Sequence, residues 1–420
     1  MKALAVRFVL PTLLLALCGA PLLAEDWPRF RGPTGQGISA ETNLPTQWSA
    51  TENIAWKTPI PGQGWSSPIV AGDRVFVTTA ADNGISCRVL CLDRKTGQIL
   101  WNKEVFQQTL KRKEGKNSFA TPTPVTDGSL VYAVFCDGSI AALDFAGNIV
   151  WTYREYKYYS QHGLGNSPIL YENLLIMCYD PSNETGDKQV GWKIPWDKAL
   201  LLALDKKTGQ EKWRGKRGLS RIAHVTPVII RDNDKPLMIS AAGDTVQAHD
   251  PNTGDLIWRI YGQGEGLVPS PVVGDGLVFS PSGFEKPTIR AIRLGGVGDV
   301  TKTHIAWEQT AHVPMLSSFV FANHLLFTIK EDGFAMCLDP KTGKPLWQQR
   351  IGGNHCASPI FADGRIYFLS EQGESTIIEA VPEFKLIAKN SINETCQASF
   401  AVSQKQLFIR SDRNLFCIGK

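Results

Sequence analysis

The chain has no long apolar run beyond its first two dozen residues. A membrane-spanning helix needs about 20 such residues in a row, so none is expected in the remainder. Excess charge of either sign is also missing. Lys+Arg number 44 against 40 Asp+Glu, a net of +4. This is not the basic footprint of a dedicated nucleic-acid binder. Charged residues are only 20 % and hydrophobic residues 43 %, which excludes a mainly disordered chain. Gly 38 and Pro 25 are too few for a collagen or a linker protein. Nucleotide and hydrolase signatures are absent: there is no Walker loop, no His-Glu-x-x-His and no Gly-x-Ser-x-Gly. Gly262-x-Gly264-x-Gly266 lacks the strand-turn-helix context of a dinucleotide fingerprint. Asp232-Asn233-Asp234 lacks the ligand series of an EF-hand. The seven His show no metal spacing, and no metal site is expected.

The one apolar run, Phe8 to Leu17, follows Lys2 and Arg7 and ends in small residues at Ala24. It reads as an export signal over residues 1–24. Cys18 raises lipidation, but Leu17 departs from the small residue that a lipidation box wants. The expectation is an exported, monomeric protein, periplasmic or associated with the cell envelope, or secreted. Eight Cys follow residue 24, in a compartment that permits disulfides.

What the chain has in quantity is Trp, twelve in all, and their placement is regular. LDRKTGQILW ends at Trp101, LDFAGNIVW at Trp151, LDKKTGQEKW at Trp213, HDPNTGDLIW at Trp258 and LDPKTGKPLW at Trp347. Trp307 closes a degenerate copy, and Trp56 closes a fragment near the start. Before each segment lies Ser/Thr-Pro, or Ser-Phe, and then alternating apolar residues. These begin at Pro68, Pro124, Pro168, Pro227, Pro271, Phe319, Pro359 and Phe400. Eight copies, 40 to 59 residues apart, predict an all-β, eight-bladed β-propeller of four-stranded antiparallel blades.

In the first copy the strands read 67–70, 75–79, 88–92 and 98–101, with Gly/Asp turns between them. The last copy has only three strands. The ring closes if the segment around Trp56 supplies the fourth. The predicted division is a leader over 1–24, an arm over 25–53 and the propeller over 54–420.

Two columns support the register. The residue before each aligned Pro or Phe is Ser67, Thr123, Ser167, Thr226, Ser270, Ser318, Ser358 and Ser399. Such hydroxyls bond nearby backbone. Two residues before the blade's Asp stand Cys91, Ala142, Ala203, Ala248, Ala291 and Cys337, with Cys417 at the matching place. Cys here substitutes for Ala as a small buried hydrophobe.

This repeat resembles the tryptophan-docking repeat of the pyrroloquinoline-quinone (PQQ) family of propellers, over residues 54 to 419. The resemblance implies that Trp56, Trp101, Trp151, Trp213, Trp258, Trp307 and Trp347 pack between blades against Gly-containing turns. Trp27-Pro28-Arg29-Phe30-Arg31-Gly32-Pro33 with Trp48 resembles the leader segment of exported bacterial members. The family includes outer-membrane assembly lipoproteins and quinoprotein alcohol dehydrogenases. The dehydrogenases carry an adjacent Cys-Cys pair, which this chain lacks, and hold Ca²⁺ with Glu, Asn and Asp. No such set maps onto this chain. The reading is therefore a non-catalytic binding or scaffold propeller with a protein partner or small ligand. A PQQ-dependent oxidoreductase with calcium, and a component of outer-membrane protein assembly, stand as alternatives.

Insertions at 103–119, 152–166 and 180–198 fall on one face. The first carries Lys111, Arg112, Lys113 and Lys116. The second carries Tyr153, Tyr156, Tyr158, Tyr159 and His162; it either recognises a partner or folds back on its blade. Residues just before the inner strands should face the central opening: Trp65, Thr121, His224, His355, Cys356, Cys396 and Gln397. Trp65 is either a stacking platform or packing for the arm. Cys356 and Cys396 are either two thiols or one disulfide.

Overall fold

The computed structural model describes residues 25–110, 113–262, 264 and 266–419. The leader 1–24, Cys18, Lys111 and Arg112 lie outside the described residues.

Eight sheets form eight blades around one axis. The inner strands are Ile69–Ala71, Val125–Thr126, Ile169–Tyr171, Val228–Asp232, Val272–Gly274, Val320–Ala322, Ile360–Ala362 and Ala401–Ser403. They define blades 1 to 8. Each begins one residue after the Pro or Phe of the sequence pattern, and in the six Pro copies the Pro cannot donate to a ladder. Blade 8 takes its outer strand, Ile54–Pro59, from the start of the chain, paired antiparallel to Asn414–Ile418. The covalent chain is thereby latched into a ring, and no blade is left with a missing outer strand.

The columns explain the packing. Across the third and fourth strands, Cys91 faces Trp101, Ala142 Trp151, Ala203 Trp213, Ala248 Trp258, Ala291 Trp307 and Cys337 Trp347. Cys417 faces Trp56. Each small residue is fully buried, leaving room for the indole. The ladder shifts register immediately beyond it, as between Cys91 and Leu92.

Two departures from the sequence reading have local causes. The hairpin of blade 1 is longer than expected, with strands Arg74–Ala81, Ser86–Asp93 and Ile99–Gln107. The insertion beginning at 103 is thus strand as far as Gln107. Blade 4 gains a fifth, parallel strand, Gly298–Asp299, beside Trp258. That segment stands where the degenerate copy has lost its Thr-Gly turn. Gly295, Gly296 and Gly298 adopt positive φ there, and one helical turn, Thr301–His304, returns the chain to its blade.

The arm 25–53 packs on the ring. Trp27 pairs with Val70 of blade 1, with both N–H···O distances 2.9 Å. Thr126 N donates to Pro28 O on blade 2, and Phe361 N donates to Gly37 O on blade 7. Val273 N of blade 5 donates to Gln36 Oε1 at 2.6 Å. Blades 1 and 5 stand opposite one another in an eight-membered ring. The arm therefore crosses the central opening at the end where first and second strands turn. It then runs outward: Trp48 N donates to Asn390 Oδ1, and Glu41 accepts from Gln404 N. No helix among the described residues is long and apolar enough to cross a membrane.

Candidate functional site

The indoles sit at blade junctions. Trp56 donates to Arg94 O, Trp101 to Phe145 O, Trp151 to Lys206 O and Trp307 to Pro340 O, each in the next blade. Their rings lie on Gly97, Gly147, Gly209 and Gly343, and Trp213 lies on Gly254. Trp347 meets Phe384 of blade 7 edge-on at 5.2 Å. Trp258 is buried against the parallel segment. These side chains hold the scaffold.

The opposite face carries the long loops. Three of them meet at His162. Its ring lies 6.0 Å from Trp192 and 6.3 Å from His224, and its carbonyl accepts from Asn117 Nδ2 at 2.7 Å. Burial, and secondarily His162, push the His224 imidazole down to about 3. Lys113 of the basic stretch is tied to Asn117 O at 2.7 Å and lies over the Phe119 ring.

Several expected face residues point inward instead. Tyr158 is buried, and its hydroxyl donates to Asp180 O. Tyr156 lies on Tyr179, with centroids 4.6 Å apart. The tyrosine loop thus folds back on its blade, because packing ring on ring removes more apolar area from water than display would. Tyr159 is half-buried beside it. His355 is buried, with its two ring nitrogens facing Leu369 O and Gly352 O. Trp65 is half-buried, and its backbone N–H donates to Ala120 O. It precedes the inner strand of blade 1, whereas the arm's bonds lie at the other end, so arm packing does not explain it. Thr121 Oγ1 donates to Asn117 Oδ1 within its own loop.

The structure does bring Cys356 and Gln397 together across blades 7 and 8: Cys356 Sγ donates to Gln397 Oε1 at 2.7 Å. Cys356 and Cys396 are free thiols, not a disulfide. Burial raises both thiols well above their ordinary value. Among the described residues no group of three or more His, Cys, Asp and Glu could hold a metal ion.

Sequence reasoning missed the polar hub of this face. Arg221 grips Asp244 at 2.6 Å and Glu285 at 2.8 Å, and reaches Lys193 O. It ties loops of blades 3, 4 and 5. Apolar side chains beside these residues in the chain face solvent: Leu219 is 65 % exposed, Ile194 46 % and Phe284 45 %. Nearby, Arg217 and Asp180 form a buried ion pair at 2.9 Å. No periodic pattern marks these loop positions, so nothing in the sequence singled them out.

Comparison with known proteins places these features. Shewanella oneidensis outer membrane protein assembly factor BamB is 20 % identical over 193 residues, 46 % of this chain and 42 % of that protein. Pseudomonas putida quinoprotein alcohol dehydrogenase PedE is 27 % identical over 144 residues, 30 % of this chain and 23 % of that protein. The chain thus spans about two fifths of the BamB relative. The crystal structure of BamB from Moraxella catarrhalis superposes with TM-score 0.59 at 14 % identity, covering 87 % of this chain and 97 % of that one. A europium-containing methanol dehydrogenase gives 0.66 at 11 % identity, covering 94 % and 98 %. At such identities these two structures establish the shared fold alone. The sequence model of the family described as outer membrane protein assembly factor BamB matches residues 84–241 and 242–381, more than two thirds of the chain, and the protein belongs to that family of PQQ-like propellers.

Proposed function

We propose that this is a non-catalytic binding propeller of the cell envelope that engages a protein of the outer-membrane assembly machinery through its loop face. Leader 1–24 directs export, and the arm 25–53 and the ring 54–420 act as one rigid body. The observation that carries the reading is the loop face over blades 3 to 5. Arg221 fixes three loops there, and Leu219, Ile194 and Phe284 are held out in water around it. Exposed apolar side chains on a rigid polar frame suit a protein partner. The family and the BamB relatives supply the class of partner. Thr121, Tyr159, His162, His224, Cys356, Gln397 and Trp65 form the rest of the face toward the axis.

The test combines deletion with a variant of the patch. Deletion should reduce folded outer-membrane barrels and sensitise cells to large antibiotics. The native gene should restore both, and Leu219→Asp with Phe284→Asp should not, at equal protein level. A deletion without envelope phenotype would overturn the reading. So would one-to-one binding of PQQ with dye-linked alcohol oxidation by the purified protein.

A further inference from the structure

The arm brings a cation into the heart of the ring. Arg31 is fully buried. Its Nη2 donates to Gln36 O at 2.6 Å and to Phe319 O. Its Nε and Nη1 have no hydrogen-bond partner. Burial alone shifts it, pushing the guanidinium down to about 9, and no acidic side chain acts against that. Among the described residues Arg31 enters no ion pair. A cation withdrawn from water without a counter-charge is costly.

Its nearest neighbours are backbone carbonyls, and the next groups along the inner strands are hydroxyls. Phe319 O is one residue from Ser318. A side chain at Gly37 would lie 2.9 Å from Arg31 Nη2 and 3.0 Å from Pro359 O, one residue from Ser358. The guanidinium thus reaches the level of the Ser/Thr column, and that column is a ring. Ser67 N donates to Thr123 Oγ1, Thr123 N to Ser167 Oγ and Ser167 N to Thr226 Oγ1. Ser270 N donates to Ser318 Oγ, Ser318 N to Ser358 Oγ, Ser358 N to Ser399 Oγ and Ser399 N to Ser67 Oγ. Seven of eight junctions carry the bond. Each hydroxyl accepts there, so its own hydrogen is left to donate. Among the described residues no hydrogen bond takes those hydrogens.

We propose that the axis of the propeller, between the Ser/Thr ring and the Arg31 guanidinium, is a binding site for one small inorganic anion of the halide class. A single positive charge calls for a single negative one. The groups left free to donate are the Arg31 Nε and Nη1 hydrogens and the hydroxyls of the ring, which suits an anion. The arm crosses the opening there, with Gln36 bonded to blade 5 and Gly37 to blade 7, which favours an ion small enough to shed its water. The site lies inside the channel, between the arm and the residues that precede the inner strands, and its ion is independent of any protein docked on the loop face.

The test uses the full-length exported protein and bromide as the probe. Crystals soaked in bromide should give an anomalous peak on the axis, within hydrogen-bonding reach of Arg31. Replacing gluconate by chloride at fixed ionic strength should raise Tm by about 3 °C once chloride is a hundredfold above its Kd, then saturate. Arg31→Gln should abolish that chloride response. No axial bromide peak, or an equal response in the variant, would overturn the proposal. If Arg31→Gln does not fold, the bromide map of the native protein decides alone.

Discussion

Trp56 donates its indole N–H to the carbonyl of Arg94 at 2.7 Å, although the two residues belong to blades 8 and 1. The same ring lies on Gly97, whose backbone has φ +72. One side chain therefore joins the first strand of the chain, carried in the last blade, to the turn of the first blade. Trp101, Trp151 and Trp307 perform the same act at three other junctions, and at this one it also closes the circle.

Gly97→Ala should be strongly destabilising. The position is left-handed, and an added Cβ would stand 2.5 Å from the Trp56 ring. Strain and overpacking together should cost about 2–4 kcal/mol. Gly72→Ala is the control: its φ is +54 but nothing lies within 4 Å, so about 1 kcal/mol is expected. Denaturant midpoints of the two variants check this. Equal losses would show that the indole does not constrain the turn.

Ser358→Ala removes the acceptor of Ser318 N, leaving a buried N–H unpaired at a cost of about 1–3 kcal/mol. Ser358→Thr should be nearly neutral, because Thr123 and Thr226 fill the same place in other blades. Amide exchange at Ser318 should quicken only in the alanine variant.

Closure should weaken in acid through Glu394. Burial raises this carboxyl, but Asn414, Lys57 and Ser411 bonds outweigh it and hold it below the ordinary value of 4.5. Lys57 lies on the borrowed strand, with Nζ 2.7 Å from the carboxylate. A depressed carboxyl stabilises the fold above its unfolded value and loses that as pH falls through the folded one. Stability should therefore drop below pH 4.5, and Glu394→Gln should flatten that part of the profile while lowering stability at pH 7. An unchanged acid limb in the variant would assign the loss to other groups.

Cys91 should behave as an alanine. Burial pushes its thiol up to about 12, and Ala fills its column elsewhere. Cys91→Ala should cost less than about 1.5 kcal/mol, whereas Cys91→Leu should cost about 1–3 kcal/mol by crowding Trp101. A thiol reagent should find the native protein slow to react, and all eight Cys after residue 24 reactive on unfolding. Fewer than eight would reveal a disulfide.

Much of the fold was legible because a propeller writes its geometry locally. Period-two alternation sets each strand, the Thr-Gly turn sets each outer hairpin, and Cys91 or Ala142 opposite Trp101 or Trp151 sets the register. The degenerate copy before Trp307 was legible as degenerate, but its parallel strand was not. The candidate site was less legible. Counting loops set Trp65 and His162 in loops before the inner strands, while Tyr158 and His355 are packed inward. A loop tyrosine has no periodicity to say which way it turns.

The sequence by itself determined eight blades, their register, the Ser/Thr column and the strand that closes the ring, because each rests on residues a few positions apart. Only the tertiary structure decided that Arg31 is buried against Phe319 O of blade 6, that Arg221 joins Asp244 and Glu285 beside Leu219 and Phe284, and that Cys356 meets Gln397. Those meetings depend on the angle and radius at which the ring closes. That radius is set by how neighbouring blades pack along their whole faces, indoles included, and no local pattern carries it.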